Sequence, residues 1–112
     1  MKRIAFIDLG SNSVRFVIYE ISKTGSYRLI YQEKESVRLS ENMWGTHELT
    51  NEAMERSLRA LKGFVHMADA MGVDTIKAVA TAAVRLAKNG DAFIKAVKER
   101  TGLDLECIAG EE

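Results

Sequence analysis

The stretch RIAFIDLGSNSVRFVIYEI, residues 3–21, decides how this chain folds. Residues 3–9 are mostly apolar and compact, the pattern of a strand buried on both faces. Gly10-Ser11-Asn12-Ser13 is a turn cluster, because these residue types favour local backbone bonds or positive φ. Residues 14–21 are rich in β-branched and aromatic types and predict a second strand. Two such runs joined by a short turn make a hairpin.

Working outward, residues 22–26 form another turn. A third strand runs from Tyr27 to about Lys34, with Tyr27, Leu29 and Tyr31 alternating with Arg28 and Gln32, and Ile30 breaking the alternation. Residues 36–39 either extend that strand or begin a new one, and residues 40–49 read as a loop. Thr50 is an N-cap for a helix over residues 51–71, whose Met54, Leu58, Leu61, Val65 and Ala68 share one face before Gly72 stops it. A short strand over 75–80 and a short helix over 81–87 follow. A further helix opens at Gly90-Asp91 and ends at Gly102, with Ala92, Ile94, Ala96 and Val97 inward and Lys95, Lys98, Glu99 and Arg100 in solvent. Residues 103–109 make a last apolar strand. The order β-β-β-α-β-α-α-β predicts one α/β domain over residues 1–112, a mixed sheet with helices packed on it. Because the sequence stops at a turn after a buried strand, it reads as truncated at its C-terminus.

The chain has 112 residues, with 16 Lys+Arg against 16 Asp+Glu. Zero net charge argues against bulk attraction to nucleic acid or to an anionic membrane. Apolar residues make up 46% and charged residues 29%, as in a globular protein and unlike a disordered one. The one cysteine, Cys107, excludes an internal disulfide and reads as a core residue of the last strand. His47 and His66 have no zinc-ligand spacing. The run Ile4–Ile7 is too short for a signal peptide, and nothing approaches the roughly 18 apolar residues of a membrane span, so a cytoplasmic location is expected. Trp44 reads as an anchor of its loop on the core, with base stacking as the alternative.

Chemistry concentrates at Asp8-Leu9-Gly10-Ser11-Asn12-Ser13-Val14-Arg15. Asp8 falls at the carboxyl end of the first strand, where a carboxylate is desolvated unless it meets a cation, a hydroxyl or an ordered water. Gly10 permits close approach of a ligand to the backbone. The N–H groups and hydroxyls of Ser11, Asn12 and Ser13 can line an anion-binding nest, and Arg15 adds a permanent cation. This is not a Walker loop, because the Gly-Lys-Ser/Thr ending and the following helix are missing. The same four turn residues also make a good hairpin turn with no ligand, with Asp8 capping it, and residue types alone leave both readings open.

Residues 8–16 resemble the first phosphate-binding motif of the exopolyphosphatase / guanosine pentaphosphate phosphohydrolase family, within the actin-like ATPase superfamily. The resemblance continues in order. Val37-Arg38-Leu39-Ser40-Glu41-Asn42-Met43 is similar to the family's Val-Arg-Leu-Gly-Glu-Gly-Leu loop, with both glycines replaced. Residues 49–54 resemble the start of its first long helix. Thr81-Ala82-Ala83-Val84-Arg85-Leu86-Ala87-Lys88-Asn89 resembles its Thr-x-x-x-Arg-x-Ala-x-Asn segment, and residues 108–112 lead toward its Gly-x-Glu-Glu-Ala.

The resemblance implies a ribonuclease H-like (actin-like ATPase) lobe. It implies hydrolysis of terminal phosphoanhydride bonds of inorganic polyphosphate or guanosine pentaphosphate, with Mg²⁺ (or Mn²⁺) as cofactor. Asp8 then takes the metal- or water-orienting position, and Gly10, Ser11, Asn12, Ser13, Arg15 and Arg85 face the phosphates. The base is the second glutamate of the last motif: either Glu112 or, in the favoured register, the residue after it. A second lobe of the same protein is required, and a homodimer is a further expectation. Nucleic acid and membrane are not expected partners. Two other readings stay open: another actin-like member, such as a sugar or acyl kinase or an ATPase, and a non-enzymatic module that binds a phosphorylated ligand. A carboxylate directly after Glu112 favours the hydrolase.

Overall fold

The computed structural model describes residues 1–108. It contains β1 (Lys2–Leu9), β2 (Ser13–Ile21), β3 (Tyr27–Ser36), α1 (Asn51–Ala70), β4 (Thr75–Ala80), α2 (Ala82–Leu86), α3 (Gly90–Thr101) and β5 (Leu105–Cys107). The expected element order holds. β3 ends at Ser36, and residues 37–39 neither extend it nor form a new strand but continue as irregular chain. The five strands form one sheet in the order β3-β2-β1-β4-β5. β1, β2 and β3 pair antiparallel, whereas β1, β4 and β5 run parallel. Ile30, which interrupts the alternation, falls where the β2–β3 register shifts between Ile18 and Tyr19, because an extra residue on one strand moves every later side chain. Among the described residues, no helix is long and apolar enough to cross a membrane.

One face of the β1–β2 part of the sheet is covered. Ala5, Ile7 and Leu9 of β1 and Val14, Phe16 and Ile18 of β2 are buried with Leu58, Leu61, Phe64 and Ala68 of α1 and Phe93 and Val97 of α3. Phe16 stacks on Phe64 with ring centroids 4.8 Å apart. The expectation that β1 is buried on both faces is therefore corrected. Phe6 and Asp8 are exposed, and Phe6 meets Tyr19, which meets Tyr27, in edge-to-face contacts along an open face. The alternation is hidden in the sequence because Phe6, an apolar residue, sits on the open side.

The helix boundaries follow their capping chemistry. Thr50 Oγ1 accepts the Ala53 N–H at 3.1 Å. Gly72 and Gly102 have φ of +68° and +80°, the left-handed conformation that ends a helix and that glycine adopts without a Cβ penalty. The inward faces need adjustment. In α1 the buried set centres on Leu61 and Phe64, with Met54 and Val65 only partly covered. In α3 Phe93 and Val97 are buried while Ala92 is exposed, since a helix turned to bury its largest apolar side chain removes the most area from water. Arg100 donates to both Glu55 carboxylate oxygens, at 2.7 and 3.1 Å, tying the solvent side of α3 to α1 and holding the Glu55 carboxyl below its ordinary pKa.

Cys107 and Trp44 are the other corrections. Cys107 is exposed, because β5 is a three-residue edge strand with a neighbour on one side only. Trp44 is 57% exposed, and the loop is instead anchored by Leu39 and Met43, both fully buried.

Candidate functional site

The carboxyl ends of β1, β4 and β5 lie side by side, because these three strands are parallel neighbours. In open α/β sheets, ligands bind in the crevice outside such ends. The turn after β1 is Gly10–Ser13. The Thr81–Asn89 segment follows β4. Residues 109–112 follow β5, so the expected base at Glu112 lies outside the described residues. Hydrogen bonds join the three segments. The Thr81 N–H donates to the Leu9 carbonyl at 3.2 Å, and the Ile108 N–H donates to the Ala80 carbonyl at 2.9 Å. Arg85 Nη1 donates to the Ile108 carbonyl at 2.7 Å. Arg85 thus reaches the chain just before the last motif and is otherwise exposed.

Asp8 is exposed, so the expectation of a desolvated carboxylate is corrected: its position on the open face leaves it in water. It stands opposite Arg15 on β2, and Arg15 stands opposite Lys34 on β3. One carboxylate and two cations therefore cross three strands at one level, next to the turn. Asp8 and Arg15 share a shallow cavity of about 310 Å³ with Phe6, Val17 and Tyr19. Lys34 escapes the sequence reading. Its place beside Arg15 depends on the β2–β3 register, which residue spacing alone does not reveal.

The turn itself is tightly held. The Gly10 N–H donates to the Ser13 carbonyl at 2.9 Å, so that group closes the turn and does not join the anion-binding set. The Val37 and Arg38 N–H groups both donate to the Asn12 carbonyl, and the Ser40 N–H donates to the Ser11 carbonyl. Asn12 is exposed, whereas Gly10, Ser11 and Ser13 are half-buried. The loop that resembles the family's Val-Arg-Leu motif therefore forms the backing of the turn.

Replacement of that loop's two glycines has a structural account at one of them. Asn42 sits at φ +60°, in the left-handed region that asparagine tolerates better than other non-glycine residues. Asn42→Ala is expected to lower stability by about 1 kcal/mol, with Asn42→Gly at or above wild type. Thermal melts of the two variants check this, and an alanine variant that melts with the wild type would remove the strain argument. Asn89, the last residue of the second motif, has a structural role. Its side-chain amide brackets Leu49, accepting from the Leu49 N–H at 2.8 Å and donating to the Leu49 carbonyl at 3.0 Å.

The described residues contain no cluster of three or more His, Cys, Asp or Glu able to hold a metal. Asp8, exposed and in no ion pair among the described residues, offers one carboxylate beside the turn; Mg²⁺ sites use one or two carboxylates together with substrate phosphates and water.

The family model described as the Ppx/GppA phosphatase family matches residues 17–112. A guanosine-5'-triphosphate,3'-diphosphate pyrophosphatase of Pseudoalteromonas atlantica is 39% identical over 108 residues, covering 96% of this chain and 21% of that protein. The type II variant of the Aquifex aeolicus Ppx/GppA phosphatase superposes with a TM-score of 0.94 at 34% identity, covering 99% of this chain and 37% of that one. An exopolyphosphatase from Cytophaga hutchinsonii superposes with a TM-score of 0.91 at 32% identity, covering 97% and 35%. The chain thus spans about a fifth of the length of the first relative and just over a third of the two solved structures.

Proposed function

Since this chain belongs to the Ppx/GppA phosphatase family, we propose that it is the first phosphate-binding lobe of a hydrolase acting on the terminal phosphoanhydride bond of inorganic polyphosphate or guanosine pentaphosphate. One observation carries the reading. The Gly10–Ser13 turn, the Thr81–Arg85 segment and the end of β5 meet at the carboxyl ends of three parallel strands, with Asp8 and Arg15 exposed beside them.

The Asn12 and Ser13 amide hydrogens and the Ser13 hydroxyl bind the terminal phosphoryl oxygens, and Arg15 and Lys34 offset their charge. Asp8 would hold Mg²⁺ (or Mn²⁺), which when bound would supply charge neutralisation at the phosphate oxygens. A carboxylate after β5, Glu112 or its successor, orients a water in line with the phosphorus and takes its proton. Arg85, which donates to the Ile108 carbonyl, stands at the end of β5 where it can also face the phosphates. Such a transition state must be enclosed from both sides, so a second lobe completes the site. A sugar or acyl kinase would need an acceptor pocket where the last motif places acidic residues.

The division of labour is testable. These 112 residues alone are expected to bind pyrophosphate with Mg²⁺ and to release no phosphate from polyphosphate. Titration calorimetry and a phosphate-release assay measure the two. Sustained turnover by this chain alone would overturn the two-lobe mechanism, and no pyrophosphate binding would overturn the phosphate-binding reading.

A further inference from the structure

Hydrogen bonds link the Gly10–Ser13 turn, through residues 37–40, to a residue far from it in sequence. Arg56, on α1, donates from Nε to the Val37 carbonyl at 2.9 Å and from Nη2 to the Arg38 carbonyl at 3.2 Å. The same Nη2 lies 3.1 Å from Glu41 Oε1. Its side chain is only 23% exposed. A planar fork presents its donors from separate nitrogens in fixed directions, whereas an ammonium presents its three donors from a single point.

What Arg56 grips is the segment that backs the turn. The Val37 and Arg38 N–H groups donate to the Asn12 carbonyl at 3.0 and 2.8 Å, and the Ser40 N–H donates to the Ser11 carbonyl at 3.0 Å. Every peptide bond described is trans. Within a trans peptide plane the carbonyl and the following N–H point in opposite directions. With the Ser11 and Asn12 carbonyls aimed at residues 37–40, the N–H groups of Asn12 and Ser13 face away from that segment. The segment does not hold its own shape by preference, since Arg38 sits at φ +46°, which non-glycine residues avoid unless their surroundings impose it.

We propose that Arg56 is a positioning residue for the phosphate-binding turn. It fixes residues 37–41, these fix the peptide planes of Ser11 and Asn12, and those planes aim the Asn12 and Ser13 amide hydrogens at phosphoryl oxygens. The inference rests on the phosphate-binding reading of residues 10–13.

The test uses Arg56→Gln in the 112-residue chain, read by amide resonances and by titration with pyrophosphate and Mg²⁺. The Asn12 and Ser13 amides are expected to shift and to exchange faster, while those of the 22–26 turn stay in place. Pyrophosphate affinity is expected to fall about tenfold, in line with the cost of a small misplacement of binding groups. Arg56→Lys keeps the charge but not the fork and is expected to fall between; it carries the test if the glutamine variant does not fold. A folded variant with unmoved Asn12 and Ser13 amides, or with wild-type affinity, overturns the inference while leaving the phosphate reading intact. A wild-type chain that binds no pyrophosphate overturns both.

Discussion

On the proposed two-lobe, metal-assisted reading, Asp8→Asn in a longer chain that carries both lobes is expected to slow phosphate release from polyphosphate by about 10²–10³-fold, because a metal clamp would supply several kcal/mol of transition-state charge stabilisation and each 1.36 kcal/mol is tenfold. The substitution keeps size and shape and removes only the charge. Asp8 is exposed and makes no ion pair among the described residues, so the fold has little to lose. The melting transition is expected to stay within about 0.5 kcal/mol of wild type, as for surface substitutions generally. The 112-residue chain gives an independent readout. Its pyrophosphate affinity should rise with Mg²⁺ in the wild type and become indifferent to Mg²⁺ in the variant, while metal-free affinity persists through the turn and Arg15. An Asp8→Asn enzyme with wild-type turnover and wild-type Mg²⁺ dependence would strip Asp8 of its role and move the metal to the second lobe.

The turn and its flanking strands are legible in the sequence because each level of it agrees there. Apolar β-formers stand on both sides, four polar or flexible residues stand between, and a carboxylate and an arginine occupy cross-strand positions. The parallel placement of the later motifs is legible only as element order; the sheet order that brings Thr81 beside Leu9 requires the structure. Three kinds of information stay hidden. Phe64 and Phe93 escape because a helical face read from one starting residue can be a step out of phase, and the sheet decides which phase is buried. Lys34 escapes because a bulge near Ile30 resets the β2–β3 pairing. Arg56 escapes because its partners are backbone carbonyls in an irregular segment, and backbone acceptors have no residue signature. These positions share a cause: each depends on where the chain returns to itself, which hydropathy and spacing do not encode.

Gly90→Ala is expected to destabilise the fold by about 3 kcal/mol, at the upper end of the usual cost of inserting a methyl into a packed site. At roughly 4–8 °C per kcal/mol for a domain near this size, the midpoint of thermal unfolding falls by about 12–24 °C. Gly90 opens α3 and is buried, with an unexceptional backbone, so its requirement is for space and not for a glycine-only φ. A Cβ built there overlaps the Val84 carbonyl oxygen and stands 3.2 Å from the Val84 carbonyl carbon. Both atoms are backbone, so no side-chain rotation relieves the clash. α2 would have to move, yet Ala83 and Val84 are buried in the core and the Thr81 N–H is tied to Leu9. The displacement would also pass through Arg85 to Ile108 and disturb the exit of β5. Gly63→Ala is the control. Position 63 is exposed on α1 with nothing within 4 Å of an added Cβ, and there alanine is expected to stabilise by about 0.5–1 kcal/mol through helix propensity alone. Opposite shifts of the two melting temperatures support the tight α2–α3 corner. A Gly90→Ala chain that melts with the wild type would mean the corner has room, and that the second motif is not rigidly seated against the sheet.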